Sequence, residues 1–105
     1  MALELNHHVE ENAHVLRVSG AVDLYSSPEL RKAVQTMLAQ AGDRIHIDLS
    51  AVEYMDSSGV ATLVEGMRNA QANNVAFVLY APSDSVMKVL TLSRLDSVFD
   101  IARSE

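Results

Sequence analysis

A change of hydrophobic period, repeated along the chain, restricts its fold more than any other feature. Ile45, Ile47 and Leu49 alternate with His46 and Asp48, as the two faces of a strand do. After a short polar link, Val60, Leu63, Val64 and Met67 recur at three- and four-residue intervals, while Glu65, Arg68 and Gln71 fall on the opposite side. That is the pattern of a helix with one buried face. Residues 75–80 then form a continuous apolar run of buried-strand length. A strand, a helix and a second strand in this order argue for parallel pairing, with the helix crossing over the sheet.

The flanking segments extend the alternation. Ser26-Ser27-Pro28-Glu29 places hydroxyl caps ahead of a proline suited to a first helical turn. Leu30, Ala33, Val34, Met37, Leu38 and Ala41 follow one helical face until Gly42, a residue at which helices commonly stop. Pro82 introduces a third helix reaching about residue 92, capped by Ser83 or Asp84 and burying Val86, Val89 and Leu90. At the other end, residues 3–9 and 14–18 alternate loosely, and Glu10-Glu11-Asn12-Ala13 turns one strand back on the other. Residues 99–102 make a short last strand before the tail Arg103-Ser104-Glu105. The expected fold is α/β: a mixed sheet of four to five strands, opened by an antiparallel hairpin, with helices packed against it. With no repeat, linker or low-complexity run, residues 1–105 are expected to form one domain.

Composition narrows the function classes. Eight basic residues against fourteen acidic ones give a net charge of −6, and the basic residues are scattered. Nucleic acid and anionic lipid repel such a chain on average, so its expected partners are proteins. No run of about 18 uncharged apolar residues exists and the first residues lack an export signal, so membrane insertion is not expected. The chain has no cysteine, which removes disulfides, thiolate metal sites and cysteine nucleophiles. A cytoplasmic location fits this inventory.

Tyr54-Met55-Asp56-Ser57-Ser58-Gly59-Val60 bridges the central strand and the second helix. The first amides of a helix lack internal partners and carry partial positive charge, so they favour a carboxylate, a hydroxyl or a phosphate. Two readings fit the spacing. Asp56, Ser57 and Ser58 are ordinary capping residues, or Ser57 is a phosphate acceptor whose modification leaves its helix intact.

Other chemistries find no support. Gly20, Gly42, Gly59 and Gly66 are isolated, so there is no phosphate-cradling loop, and Asp56-Ser57-Ser58-Gly59 lacks the glycine two residues before a hydrolase nucleophile. His7, His8, His14 and His46 share no metal-binding spacing, and neither a metal nor a cofactor is expected. An opening hairpin and a short chain argue against an aspartyl phospho-acceptor at Asp23 or Asp56; Asp23 reads as a loop residue near Ser57. Met37, Met55, Met67 and Met87 read as core filler. Met55, beside Ser57, is the one that exposure would make part of a partner surface.

Over nearly its whole length the sequence resembles the STAS family of sulfate-transporter and anti-sigma-factor-antagonist domains. Ser19-Gly20-Ala21-Val22-Asp23 is similar to a strand end carrying the family's acidic residue, and Ile45-His46-Ile47-Asp48-Leu49-Ser50 to the strand before the signature. Met55-Asp56-Ser57-Ser58-Gly59-Val60 resembles the signature, and residues 81–90 and 95–99 the closing helix-turn-strand region. Arg94 departs from the pattern, standing where many members have a small residue. The resemblance implies a non-enzymatic switch in which a serine-kinase anti-sigma factor phosphorylates Ser57 and a serine phosphatase resets it. Asp23, Met55, Asp56, Ser58 and Gly59 would then help form the partner surface. It equally implies alternatives: a subunit of a lipid-trafficking ABC transporter, or a partner switch for a target other than a sigma factor.

Overall fold

The computed structural model describes residues 2–40 and 42–103. Eight elements follow in the order β1 (Glu4–Glu10), β2 (Ala13–Val22), α1 (Ser27–Gln40), β3 (Arg44–Met55), α2 (Ser57–Ala72), β4 (Ala76–Tyr80), α3 (Asp84–Leu92) and β5 (Asp100–Ala102). They form one five-stranded sheet in the order β1-β2-β3-β4-β5. Only β1 and β2 pair antiparallel, through a two-residue link at Glu11 and Asn12; β2 through β5 are parallel neighbours. The mixed sheet opened by a hairpin is the arrangement expected from the sequence.

Strand order explains where the helices sit. Each of the three crossovers steps to the next strand in the same direction, and a right-handed crossover repeated in one direction puts every helix on the same face. Leu16, Val18, Ile45, Ile47, Leu49, Phe77 and Leu79 point to that face and are buried, against Leu30, Val34 and Met37 of α1, Leu63 and Met67 of α2 and Val86 and Leu90 of α3. The alternating residues Arg17, His46, Asp48 and Tyr80 line the uncovered face. His46 therefore faces away from Ile45 and Ile47, as its alternation requires.

Two details depart from the periodic reading. β2 and β3 run beyond the segments 14–18 and 45–49, because register shifts at Arg17/Ser19 and Gly20/Ala21 let the pairing continue to Val22↔Met55. A bulge changes which face a residue meets, so buried positions along β3 pass from Ile45, Ile47 and Leu49 to Val52 and Met55. In the helices, Val86 and Leu90 of α3 are buried as expected, whereas Val89, like Ala33 and Leu38 of α1 and Val64 of α2, is only partly buried. Ala41, assigned from the sequence to the buried face of α1, lies outside the described residues, as do Ser104 and Glu105 of the tail.

Candidate functional site

The site forms where β2 and β3 end together. Val22 pairs with Met55, and the Asp56 amide donates to the Val22 carbonyl at 3.1 Å, so the segments after the two strands leave the sheet side by side. This brings the Asp23 turn and the start of α2 to one end of the sheet. The carboxyl ends of parallel strands are the usual place for a site in an α/β fold.

Asp56 is the N-cap of α2. Its backbone is extended at φ −106 and ψ −171, its carboxylate accepts the Ser58 amide at 2.9 Å, and its carbonyl accepts the Gly59 and Val60 amides. One carboxylate thus does the capping that the sequence alone distributes over three residues. Ser57, the first residue of α2, is exposed, and among the described residues its hydroxyl has no hydrogen-bond partner. Ser58 is partly buried, and its carbonyl accepts the Thr62 hydroxyl at 2.9 Å.

Asp23 has a different task. Its Oδ1 accepts the Tyr25 and Ser26 amides, both at 2.9 Å, while its own amide donates to the Ser26 hydroxyl, which in turn donates to the Ala21 carbonyl. The Ser26 amide, foremost, holds the Asp23 carboxyl below its ordinary pKa; the Tyr25 amide and Ser26 hydroxyl act in the same direction, against a raising effect of desolvation. Asp23 therefore fixes the turn that leads into α1 and holds Leu24 and Tyr25 out in solvent.

The other two residues singled out from the sequence are interior. Met55 is 5% exposed and packs beneath Gly59, itself buried at the start of α2. They set the height of the helix end and offer no side chain to the surface. Large apolar residues that are exposed at this end of the sheet are instead Leu24, Tyr25 and Tyr54. Sequence reasoning passed over them, because periodicity marks an apolar residue as buried and carries no signal for the exceptions.

The arrangement presents a free hydroxyl, a capped helix end and two carboxylates, each of which already accepts backbone amides. His46 lies nine residues before Met55 on β3, roughly 30 Å along an extended strand. His7 and His14 occupy the opening hairpin, with His7 Nε2 2.9 Å from His14 Nδ1. Among the described residues no group of three or more His, Asp or Glu side chains could hold a metal ion.

Comparison with known proteins places this geometry. Residues 6–101 match the family model described as "Mlab, STAS domain". The chain belongs to the STAS domain family. Among curated relatives, this STAS domain is similar to an anti-sigma-B factor antagonist of Bacillus subtilis strain 168, at 29% identity over 98% of this chain and 96% of the relative. It is also similar to the unphosphorylated form of the anti-sigma factor antagonist SpoIIAA, with 29% identity, a TM-score of 0.77 and coverage of 98% of this chain and 90% of that one. The phosphorylated form of the Bacillus cell fate determinant SpoIIAA aligns at 28% identity and a TM-score of 0.71, covering 98% and 93% of the two chains. Among the described residues no helix is long and apolar enough to cross a membrane.

Proposed function

We propose that this STAS domain is a partner-switching antagonist of an anti-sigma factor, controlled by phosphorylation of Ser57. The observation that carries the reading is the division of labour at the start of α2: Asp56 supplies the cap, and the adjacent Ser57 hydroxyl is exposed and uncommitted. If capping were the only task of this segment, Ser57 would be redundant. Its position instead fits a protein that is modified by another, and similarity to antagonists, one of them solved in phosphorylated and unphosphorylated forms, supports the same reading.

In the proposed reaction, Ser57 Oγ attacks the γ-phosphorus of ATP held by a partner kinase. The Oγ–P bond forms as the bond to ADP breaks, and the hydroxyl proton passes to a base of the kinase. The product adds about −1.5 to −2 charges beside Asp56. Helix-end amides accommodate this charge in the free protein, whereas in an interface it becomes a buried anion without a partner. Moving an equilibrium from 1:99 to 99:1 requires about 5.5 kcal/mol of differential affinity, which a desolvated dianion is large enough to supply. The unmodified form binds the kinase, the phosphorylated form releases it, and a serine phosphatase resets the switch.

Incubation of the purified protein with ATP and a lysate of its own cells, followed by intact-mass and site-mapping mass spectrometry beside Ser57→Ala, tests the reading. One added phosphate that the Ser57→Ala protein does not acquire is the expected result. Absence of modification in an active lysate would overturn it in favour of a constitutive subunit, such as that of a lipid-trafficking transporter.

A further inference from the structure

Beside the Ser57 turn, the end of β3 and α3 enclose a groove of about 290 Å³ lined by Tyr54, Met55, Ser85, Lys88, Val89 and Leu92. The four α3 residues stand at i, i+3, i+4 and i+7, so they form one helical face, separate from the Val86 and Leu90 face turned to the sheet. Tyr54 is 49% and Leu92 75% exposed, while the floor residue Met55 is buried. A single exposed apolar side chain needs no explanation, but two of them lining one concave site do.

Charge points to the occupant. Lys88 lines the groove and, among the described residues, makes no ion pair with any carboxylate, in a chain with fourteen acidic residues. Asp84 precedes it by one helical turn without reaching salt-bridge distance. An unpaired ammonium beside an apolar slot is complementary to an apolar side chain flanked by a carboxylate. The volume is near the lower bound for a ligand pocket, which suits one large side chain and its neighbour and is too small for a whole chain segment. The floor, Met55, lies two residues before Ser57, so a protein that covers Ser57 extends naturally over the Tyr54 wall.

We infer that this groove anchors the same protein partner that Ser57 controls, by accepting a large apolar side chain flanked by an Asp or Glu of that partner. The inference rests on the Ser57 reading and adds to it a division of roles. The groove supplies affinity and partner choice, and the hydroxyl supplies the on–off control.

The test uses the kinase purified from the protein's own cells by following phosphate transfer onto Ser57, with this STAS domain as substrate in steady-state kinetics. Lys88→Glu and Leu92→Ser are each expected to raise KM about tenfold or more with little change in kcat, since they remove docking and leave the reacting hydroxyl in place. Lys88→Met is expected to remove most of the salt dependence of KM, which a merely structural role would not do. Lys88 and Leu92 are exposed, so the variants fold, and unchanged urea midpoints check this. Unaltered KM values in all variants, with Ser57 still phosphorylated, would overturn the groove assignment and leave the switch standing. Failure of the wild-type protein to accept phosphate at Ser57 would remove the switch reading and this inference with it. Perturbation of the Val89 and Leu92 methyl resonances by dodecanoate, with KM unchanged in the variants, would assign the groove to a lipid acid and overturn the proposal.

Discussion

Gly59 lies so close to Val22 that a Cβ built on it would come within 2.8 Å of Val22 Cγ1 and 2.6 Å of Met55 Cγ. Val22 is fully buried and stiff at χ1, and the Met55 atom is near the root of its side chain, so neither can yield cheaply. The missing side chain is what lets the Ser57 end of α2 rest on the paired ends of β2 and β3. Gly59→Ala is therefore expected to cost about 1–3 kcal/mol through overpacking, read as a lower urea midpoint. At Gly42 a Cβ would meet nothing within 4 Å, so Gly42→Ala is the matched control and is expected to change stability by about 0.5 kcal/mol or less. Equal losses in the two variants would remove Gly59 from its positioning role.

Arg94 occupies the residue after the C-cap of α3 with φ at 59, a left-handed conformation. Its amide bonds the Thr91 carbonyl at 3.0 Å and the Leu95 amide bonds the Leu90 carbonyl at 2.9 Å, the pair of bonds that ends a helix in a Schellman motif. α2 ends with the same pair of bonds around Asn74, also at φ 59, but asparagine tolerates this conformation better than arginine. An arginine in this conformation thus carries a conformational cost. Arg94→Gly is expected to raise stability by roughly 0.5–1 kcal/mol in urea denaturation, while Asn74→Gly changes it less.

Much of the fold was legible because most elements are periodic over the residues that bury them. Leu30, Val34 and Met37 repeat at helical spacing, Ile45, Ile47 and Leu49 at strand spacing, and both patterns match what the sheet and helices enclose. Periodicity failed where geometry stops being regular. Gly20, at φ 93, stands at the second register shift of β2, where a Cβ would collide with the Ala2 carbonyl; from there the spacing of buried residues no longer follows alternation. The candidate site shows the same limit. Asp56 and Ser57 are adjacent polar residues with identical propensity for a helix start, and only three-dimensional structure decides that the first is bonded and the second free. Lys88 and Leu92 escaped notice because the groove joins α3 to β3, two elements about 30 residues apart in sequence whose meeting is a property of the sheet order.

Two titrating groups give the stability curve a defined direction. The Asp23 carboxyl is held below its ordinary pKa chiefly by the Ser26 amide, so the unfolded chain takes up that proton first. Its stabilising effect is complete above about pH 4 and is lost as pH falls through the folded value. His46 is held below its ordinary pKa by burial, foremost, and by Arg44 nearby, against an opposing effect of Glu10. Folding therefore favours its neutral form: stability is complete above about pH 6.5 and declines as pH falls toward the folded value. Urea midpoints measured from about pH 7.5 down to 3 are expected to fall in two stages. His46→Gln removes the upper stage and Asp23→Asn, which keeps the accepting oxygen, removes the lower one. A curve unchanged by either substitution would show that other groups carry the acid sensitivity.

Ser57→Asp separates folding from binding at a single atom group. A carboxylate in the first turn of α2 meets the favourable end of the helix dipole, worth about 0.3–1 kcal/mol, but it also stands next to the Asp56 carboxylate that caps the helix. These effects oppose each other on an exposed surface, so the urea midpoint is expected to shift by less than about 0.5 kcal/mol equivalent. Ser57→Ala, which loses no hydrogen bond, is expected to fold equally well. Binding to the purified kinase should behave differently, because an interface that covers Ser57 must bury the added charge without a counterion. Titration calorimetry is expected to show Ser57→Ala binding as the unmodified protein does and Ser57→Asp weakened by about a hundredfold or more. Full affinity in Ser57→Asp would mean that the partner does not cover this hydroxyl. Equal loss in both variants would make the hydroxyl itself a binding contact, and charge would no longer account for release.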